Sequence, residues 1–285
     1  MVIESLVNPF TMTKNPYKLI FLGFFYCSIA SLLAMWIFKS YASMIMVFFT
    51  TMACLPLVIK SIKEEEKKDL QDLEEKFLLK EHAKALECFM FLFVGILLAA
   101  ALWFVVLPSE TVGVLFEAQS NTIKAINGGV TGLSIADSLK IFTHIFSNNL
   151  KVLVFCILFS FLYGAGAMFI LAWNASVIGV AIGNFIRAGL SRASDVFGFD
   201  KISHYFGVIS IGLFKYAIHG IPEILAYFTA GLAGGIISVA VIRHDFGTRK
   251  FEHVLLDSAD LLLLSLGLLF LAALLEVYVT PIIFT

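Results

Sequence analysis

Twenty consecutive residues, Leu19 to Phe38, carry no charged side chain. As a helix they rise about 30 Å, the thickness of a bilayer's hydrocarbon core. Comparable runs recur along the whole chain, and nothing else in the sequence constrains the fold as strongly. Ala42–Ile59 is a second span, joined to the first by Lys39-Ser40-Tyr41. Cys88–Leu107 is a third, ended by Pro108, and Val152–Trp173 a fourth. Phe206–Ile242 is too long for one crossing and is interrupted at His219-Gly220-Ile221-Pro222, so it divides into two. Leu261–Ile282 is the last. Ala175–Leu190 is ambiguous: it is short, holds Gly179, Gly183, Asn184 and Arg187, and reads as a crossing, an interfacial helix or a re-entrant piece. The expected fold is all-α: one transmembrane bundle over residues 1–285 with about seven crossings, six to eight being the range, and broken or re-entrant segments. No small-x-small cleavage site follows the first run, so it reads as a retained helix.

Composition agrees. The chain is 60% hydrophobic and 14% charged, with mean hydropathy +0.93, whereas soluble domains carry about 25% charged residues. A net charge of −1 argues against a nucleic-acid partner, which needs clustered positive charge. Cys27, Cys54, Cys88 and Cys156 all fall in apolar stretches, so they do not form a disulfide framework. With the N-terminus in the cytoplasm, fifteen Lys and Arg fall on the inner side and four on the outer, with Lys215 inside a span. That bias places the protein in the cell membrane with the C-terminus outside for seven crossings.

Two connectors are long. Residues 61–87 are strongly charged, with Glu64/Lys68 and Asp72/Lys76 in the favourable i,i+4 order and an apolar stripe of Leu70, Leu73 and Phe77. They read as a cytoplasmic helix, either a solvated connector or a docking element for a partner protein or a second copy. Residues 108–149 read as an extracytoplasmic helical loop. Within it Ile135, Leu139 and Phe142 have helical spacing, after a break at Asn127-Gly128-Gly129.

Polar residues inside spans need a reason, because a charge at the bilayer centre costs about 2.5–3.5 kcal/mol on insertion scales. Lys215, His219, Gly220, Pro222 and Glu223 form the densest such group. Pro222 suits the first turn of a sixth helix, with Glu223 near its positive end. The cluster reads either as a clasp fixing a tight hairpin or as a proton-linked or ligand site. Asn148 and Asn149 stand where a helix cap is expected, and Asn174 at a break. Glu276 is a buried charge in the last span, a possible partner of Lys215. One His and one Glu do not complete a metal shell. No cofactor is implied, and there is no GxSxG, HExxH or P-loop, so the chain is not expected to be an enzyme. Gly179-x-x-x-Gly183 and Gly231-x-x-x-Gly235 allow close helix packing, read as contacts within one chain.

The segment from Ala217 to Ala226, with His219-Gly220-Ile221-Pro222-Glu223 at its centre, leads into the small-residue run Ala230 to Gly235. It resembles the signature of the stage II sporulation protein M family, a His-Gly-x-x-Glu core before a small-residue helix. Phe146 to Val152, containing Asn148-Asn149, is similar to that family's second motif, and Trp173-Asn174-Ala175 with Gly179 and Gly183 to its third. Glu4 to Pro9, Pro16, Leu22-Gly23-Phe24 and Lys63 to Asp69 resemble its archaeal branch. In spore formers such proteins belong to the engulfment machinery and hold peptidoglycan-degrading partners at a septal membrane. The archaeal likeness argues against that polymer as a target here. The resemblance therefore implies an integral membrane scaffold or anchor in membrane or envelope remodelling, with the lipid bilayer and a protein partner or a second copy as its associates. A transporter or channel using Lys215, His219 and Glu223 is the competing expectation. An enzyme embedded in the membrane and acting on lipid is a third.

Overall fold

The computed structural model describes residues 15–69, 75–127, 135–160, 165–192, 199–242 and 248–283. Among them there is no strand. The helices are α1 (Lys18–Ile37), α2 (Ala42–Asp69), α3 (Glu75–Val106), α4 (Ser109–Leu115), α5 (Glu117–Asn127), α6 (Ile135–Ser160), α7 (Ala165–Arg192), α8 (Phe199–Ile242), α9 (Arg249–Leu274) and α10 (Thr280–Ile283). A 3-10 turn, Lys39–Tyr41, joins α1 to α2, and a π-helical segment, Leu275–Val279, joins α9 to α10. Seven helical stretches are long and apolar enough to cross a membrane. The protein is an all-helical, multi-pass membrane protein.

Three expected boundaries move. Phe206–Ile242 is not two spans: α8 is one helix of 44 residues that runs through His219-Gly220-Ile221-Pro222. A proline inside a helix frees one carbonyl, and within a bundle neighbouring groups re-satisfy it, so the helix need not end. Trp173-Asn174 is not a break either, and Ala175–Leu190 is not a separate or re-entrant piece; both belong to α7, a full-length candidate span. Val152–Trp173 is correspondingly not one span, because α6 ends at Ser160 and α7 begins at Ala165. Asn148 and Asn149 lie inside α6 and cap nothing. The split span and the merged one offset each other, so seven remains the number of crossings.

The charged connector is helical on both sides of residues 70–74, as the ends of α2 and α3. Leu70, Leu73 and Asp72 lie outside the described residues, as does Gly128-Gly129. Helix α9 starts with a conventional cap: the Phe251 N–H donates to Thr248 Oγ1 at 3.2 Å, and Glu252 sits in the first turn.

Small residues set the packing. α1 and α3 run parallel and almost touch backbone to backbone, because a Cβ on Gly23 would collide with the Leu92 carbonyl and one on Gly95 with the Ile20 carbonyl. Higher up, Trp103 Nε1 donates to Ser28 Oγ at 2.9 Å. α7 lies against α3 in the same way: a Cβ on Gly179 would come within 2.7 Å of Leu97 O, and one on Gly183 within 2.9 Å of Phe104 Cβ. Gly235 of α8 packs on Ile62 of α2, and Gly234 on Ser160 of α6. Both GxxxG patterns are thus used inside the chain. The outward faces are apolar, with Phe21 73% and Trp36 82% exposed, a surface suited to lipid rather than water.

These contacts orient the bundle. Arg187 near the end of α7 donates to Phe104 O at 3.2 Å and to Ser109 Oγ at 2.9 Å. The α7 C-terminus therefore lies at the Pro108 end, opposite the charged connector. At that same end α4 and α5 fold back between the spans. Phe116 and Gln119 are fully buried there, and Gln119 Nε2 donates to Ser43 O at 3.3 Å and Ser176 Oγ at 3.2 Å. The residues 108–127 part of the long loop is therefore packed between the spans and is not a free loop.

Candidate functional site

His219, Glu223 and Tyr227 occupy successive turns on one face of α8. The surface opposite is the irregular end of the last span. Pro281 offers no N–H to the carbonyl of Val277, and its ring crowds that carbonyl. The turn before it widens into the π segment Leu275–Val279, a common remedy at functional sites. Thr280 Oγ1 donates to Leu275 O at 3.0 Å, satisfying one carbonyl of the widened turn.

The two surfaces meet as two rungs between antiparallel helices. In the first, His219 Nδ1 lies 3.3 Å from Thr280 Oγ1. The threonine hydroxyl has already given its hydrogen to Leu275 O, so the imidazole is the donor and Nδ1 carries the proton. Tyr216 adds a ring contact to His219 at 6.5 Å between centroids. One turn along each helix, Glu223 faces Glu276 closely enough for the two carboxylates to interact electrostatically. Tyr227 donates its hydroxyl to Glu223 Oε1 at 2.9 Å, and its ring is fully buried. The sequence does not single out Tyr227 or Thr280. The signal for both was i,i+4 spacing from Glu223 and from Glu276.

Asn149 belongs to the same junction by register. α6 and α8 run parallel, with Ser160 against Gly234. Eleven residues back along each helix are Asn149 and Glu223. Asn149 is buried with Leu153, Cys156 and Ser160, the face of α6 turned to α8. α6 also packs on the π segment that holds Glu276. Lys215 precedes His219 by one turn, and its side chain lies outside those described, so its pairing with Glu276 is not placed. Gly220 leaves open space where a Cβ would stand. Pro222 is inside the helix, freeing the carbonyl of Ile218.

Asn148 and Asn174 go elsewhere. Both line a groove of about 660 Å³ between α5, α6 and α7, on the other side of α6 from Asn149. Asn174 Nδ2 also donates to Ile170 O at 2.8 Å, one turn back on its own helix. Thus the adjacent pair Asn148-Asn149 splits, one residue outward to the groove and one inward to the bundle. None of three described cavities is lined by His219, Glu223 or Glu276. Among the described residues no cluster of three or more His, Cys, Asp or Glu side chains could hold a metal ion.

The family model described as Stage II sporulation protein M matches residues 88–281. The chain belongs to this family. The matched region runs from Cys88, within α3, to Pro281 and contains both rungs, Asn149 and the groove, while α1, α2 and the whole of the charged connector precede it. No curated protein and no solved structure matches the chain.

Proposed function

We propose that the protein is an integral membrane scaffold that anchors partner proteins in membrane or envelope remodelling, and that it is not a catalyst. The observation that carries this reading is the pair of rungs. The His219–Thr280 contact ties α8 to the end of the last span, and His219, Glu223 and Glu276 line none of the three described cavities, which supports a clasp. The clasp joins α8 to the last span, not two halves of Phe206–Ile242. The role implied by family resemblance supports the same reading. Lys and Arg distribution supports a cytoplasmic N-terminus. With the observed helix ends, Arg187, Arg192 and Lys201 move to the outer side and Lys151 falls inside a span, leaving twelve inside and six outside. The charged connector is then cytoplasmic and suited to docking a soluble partner.

The test is affinity purification of the tagged chain from its native host in mild detergent, with co-purifying proteins identified by mass spectrometry. A near-stoichiometric partner that is lost when residues 61–87 are disrupted supports the scaffold. Recovery of the chain alone overturns it. Transport is the second reading, favoured by one observation: two adjacent carboxylates beside a tyrosine hydroxyl within spans. Proton or ion flux in liposomes that is abolished by Glu223→Gln would establish it.

A further inference from the structure

α6 and α9 stand side by side and are the least covered of the seven spans. Their most apolar stretches are 17% and 22% buried, against 83% for α8. Each turns a seam outward. On α6, Lys140, His144, Ser147, Lys151, Val154 and Leu158 follow one another at steps of four and three residues, and all are exposed. On α9, Leu256, Asp260 and Leu263 do the same, and all are exposed. That spacing is the one by which a helix seats along another helix. The buried residues Cys156 and Ser160 of α6, and Leu261 and Leu269 of α9, lie on the opposite faces.

Lys151 and Asp260 put charge into these seams. Lys151 is two residues from the middle of the span Ser138–Ser160, and Asp260 is nine residues inside the span Phe251–Ile283. A charge facing lipid tails at such depth is costly. Phe270 of α9 packs against Phe142 and Phe146 at 5.4 and 6.0 Å between ring centroids. The two helices are antiparallel, so Lys151 is level with about Leu263 and Leu158 with about Leu256. Asp260 is then about 4.5 Å along the axis from the level of Lys151, at 1.5 Å per residue, within reach of a lysine side chain.

Whatever covers the seams must offer an acid to Lys151 and a base to Asp260 at nearly one depth. An anionic lipid would meet the lysine and repel the aspartate. A second copy of the chain offers both. A two-fold axis along the membrane normal preserves depth and sets α6 of one copy antiparallel to α9 of the other. We propose that the chain forms a homodimer through these seams, with Lys151 of each copy paired to Asp260 of the other. Leu158 of each copy meets Leu256 of the other and forms the apolar end of the contact. The dimer stands independently of the scaffold reading.

The test is a charge exchange between copies, read by single-molecule photobleaching in liposomes over a range of protein-to-lipid ratios. The unaltered chain should bleach in two steps. Lys151→Glu alone and Asp260→Lys alone should each raise the dimer dissociation constant about a hundredfold, because each sets like charges together at both contacts. The two variants reconstituted together should pair with each other as the unaltered chain does, since both contacts again join opposite charges. Failure of the mixture to recover would place the Lys151–Asp260 pairing within one chain and overturn the dimer. A single bleaching step for the unaltered chain, or a dimer indifferent to both variants, also overturns it. A second measurement leaves the charges in place if either variant fails to fold. Chains carrying Leu158→Cys and Leu256→Cys are mixed in membranes and oxidised with copper phenanthroline, the four native cysteines being buried. A disulfide-linked dimer in the mixture, and in neither chain alone, supports the seam. No cross-link, or equal yield in all three samples, overturns it.

Discussion

Tyr227 bonds to Glu223 and Glu276 is level with it across the helix pair, and the two should respond oppositely to mutation. Tyr227→Phe removes the hydroxyl that donates to Glu223 Oε1 in a buried setting, and leaving such a group unpaired costs about 1–3 kcal/mol. Glu276→Gln instead removes the repulsion felt when both carboxylates are ionised. Thermal unfolding in detergent should therefore show a lower midpoint for Tyr227→Phe and an equal or higher one for Glu276→Gln. Two destabilised variants would mean that Glu276 is held by an attractive partner. Glycines allow a sharper comparison. Gly95→Ala places a methyl on the Ile20 carbonyl, where only separation of α1 from α3 relieves it, so a loss of about 1–3 kcal/mol is expected. Gly267→Ala meets nothing within 4 Å and removes the entropic cost of a helical glycine, a gain of roughly 0.5–1 kcal/mol. The same detergent melts check both.

Among the elements, the two prolines of the site have different duties. Pro222 sits in a helix that stays helical, so Pro222→Ala should keep α8 intact and leave the midpoint unchanged or higher. Pro281 accompanies the π segment that aims Glu276 and Thr280. Pro281→Ala restores an N–H for Val277 O and favours a regular α-turn, which rotates Thr280 away from His219. The expected outcome is a midpoint lowered by a few degrees and no further loss from His219→Ala on that background. Additive losses would show that the rung survives without the π turn. Sequence reasoning mistook Pro222 for a boundary because the cost of a proline in an isolated helix says little about a helix held on several sides. It missed the true boundary at Ser160 because Tyr163-Gly164-Ala165-Gly166 sits inside a continuous apolar run that hydropathy alone joins together. The π segment was readable in principle from Pro281 but has no periodicity of its own. The cluster's membership was legible where charge marked it, at His219, Glu223 and Glu276. Tyr227, Thr280 and Gln119 looked ordinary because their importance comes from what faces them.

At the scale of the molecule, the decisive question is which side each connector occupies. Merging Phe206–Ile242 and completing α7 reverse the side assigned to Arg187, Arg192 and Lys201 while preserving seven crossings. The hydrogen bonds from Arg187 to Phe104 O and Ser109 Oγ place the α7 C-terminus with Pro108. Lys84, at the far end of α3, is then separated from Ser191 by the whole bundle, and both residues are exposed. Cys27, Cys54, Cys88 and Cys156 are all buried, which keeps background labelling low and makes single-cysteine reporters practical. In intact cells treated with a membrane-impermeant maleimide, Ser191→Cys should label and Lys84→Cys should label only after permeabilisation. The reverse pattern would keep the fold and invert its orientation, removing the cytoplasmic docking role of the charged connector. Labelling of both from the same side would contradict α7 as a crossing. The groove lined by Asn148 and Asn174 would then need a different depth, because its walls α6 and α7 take their level from that crossing.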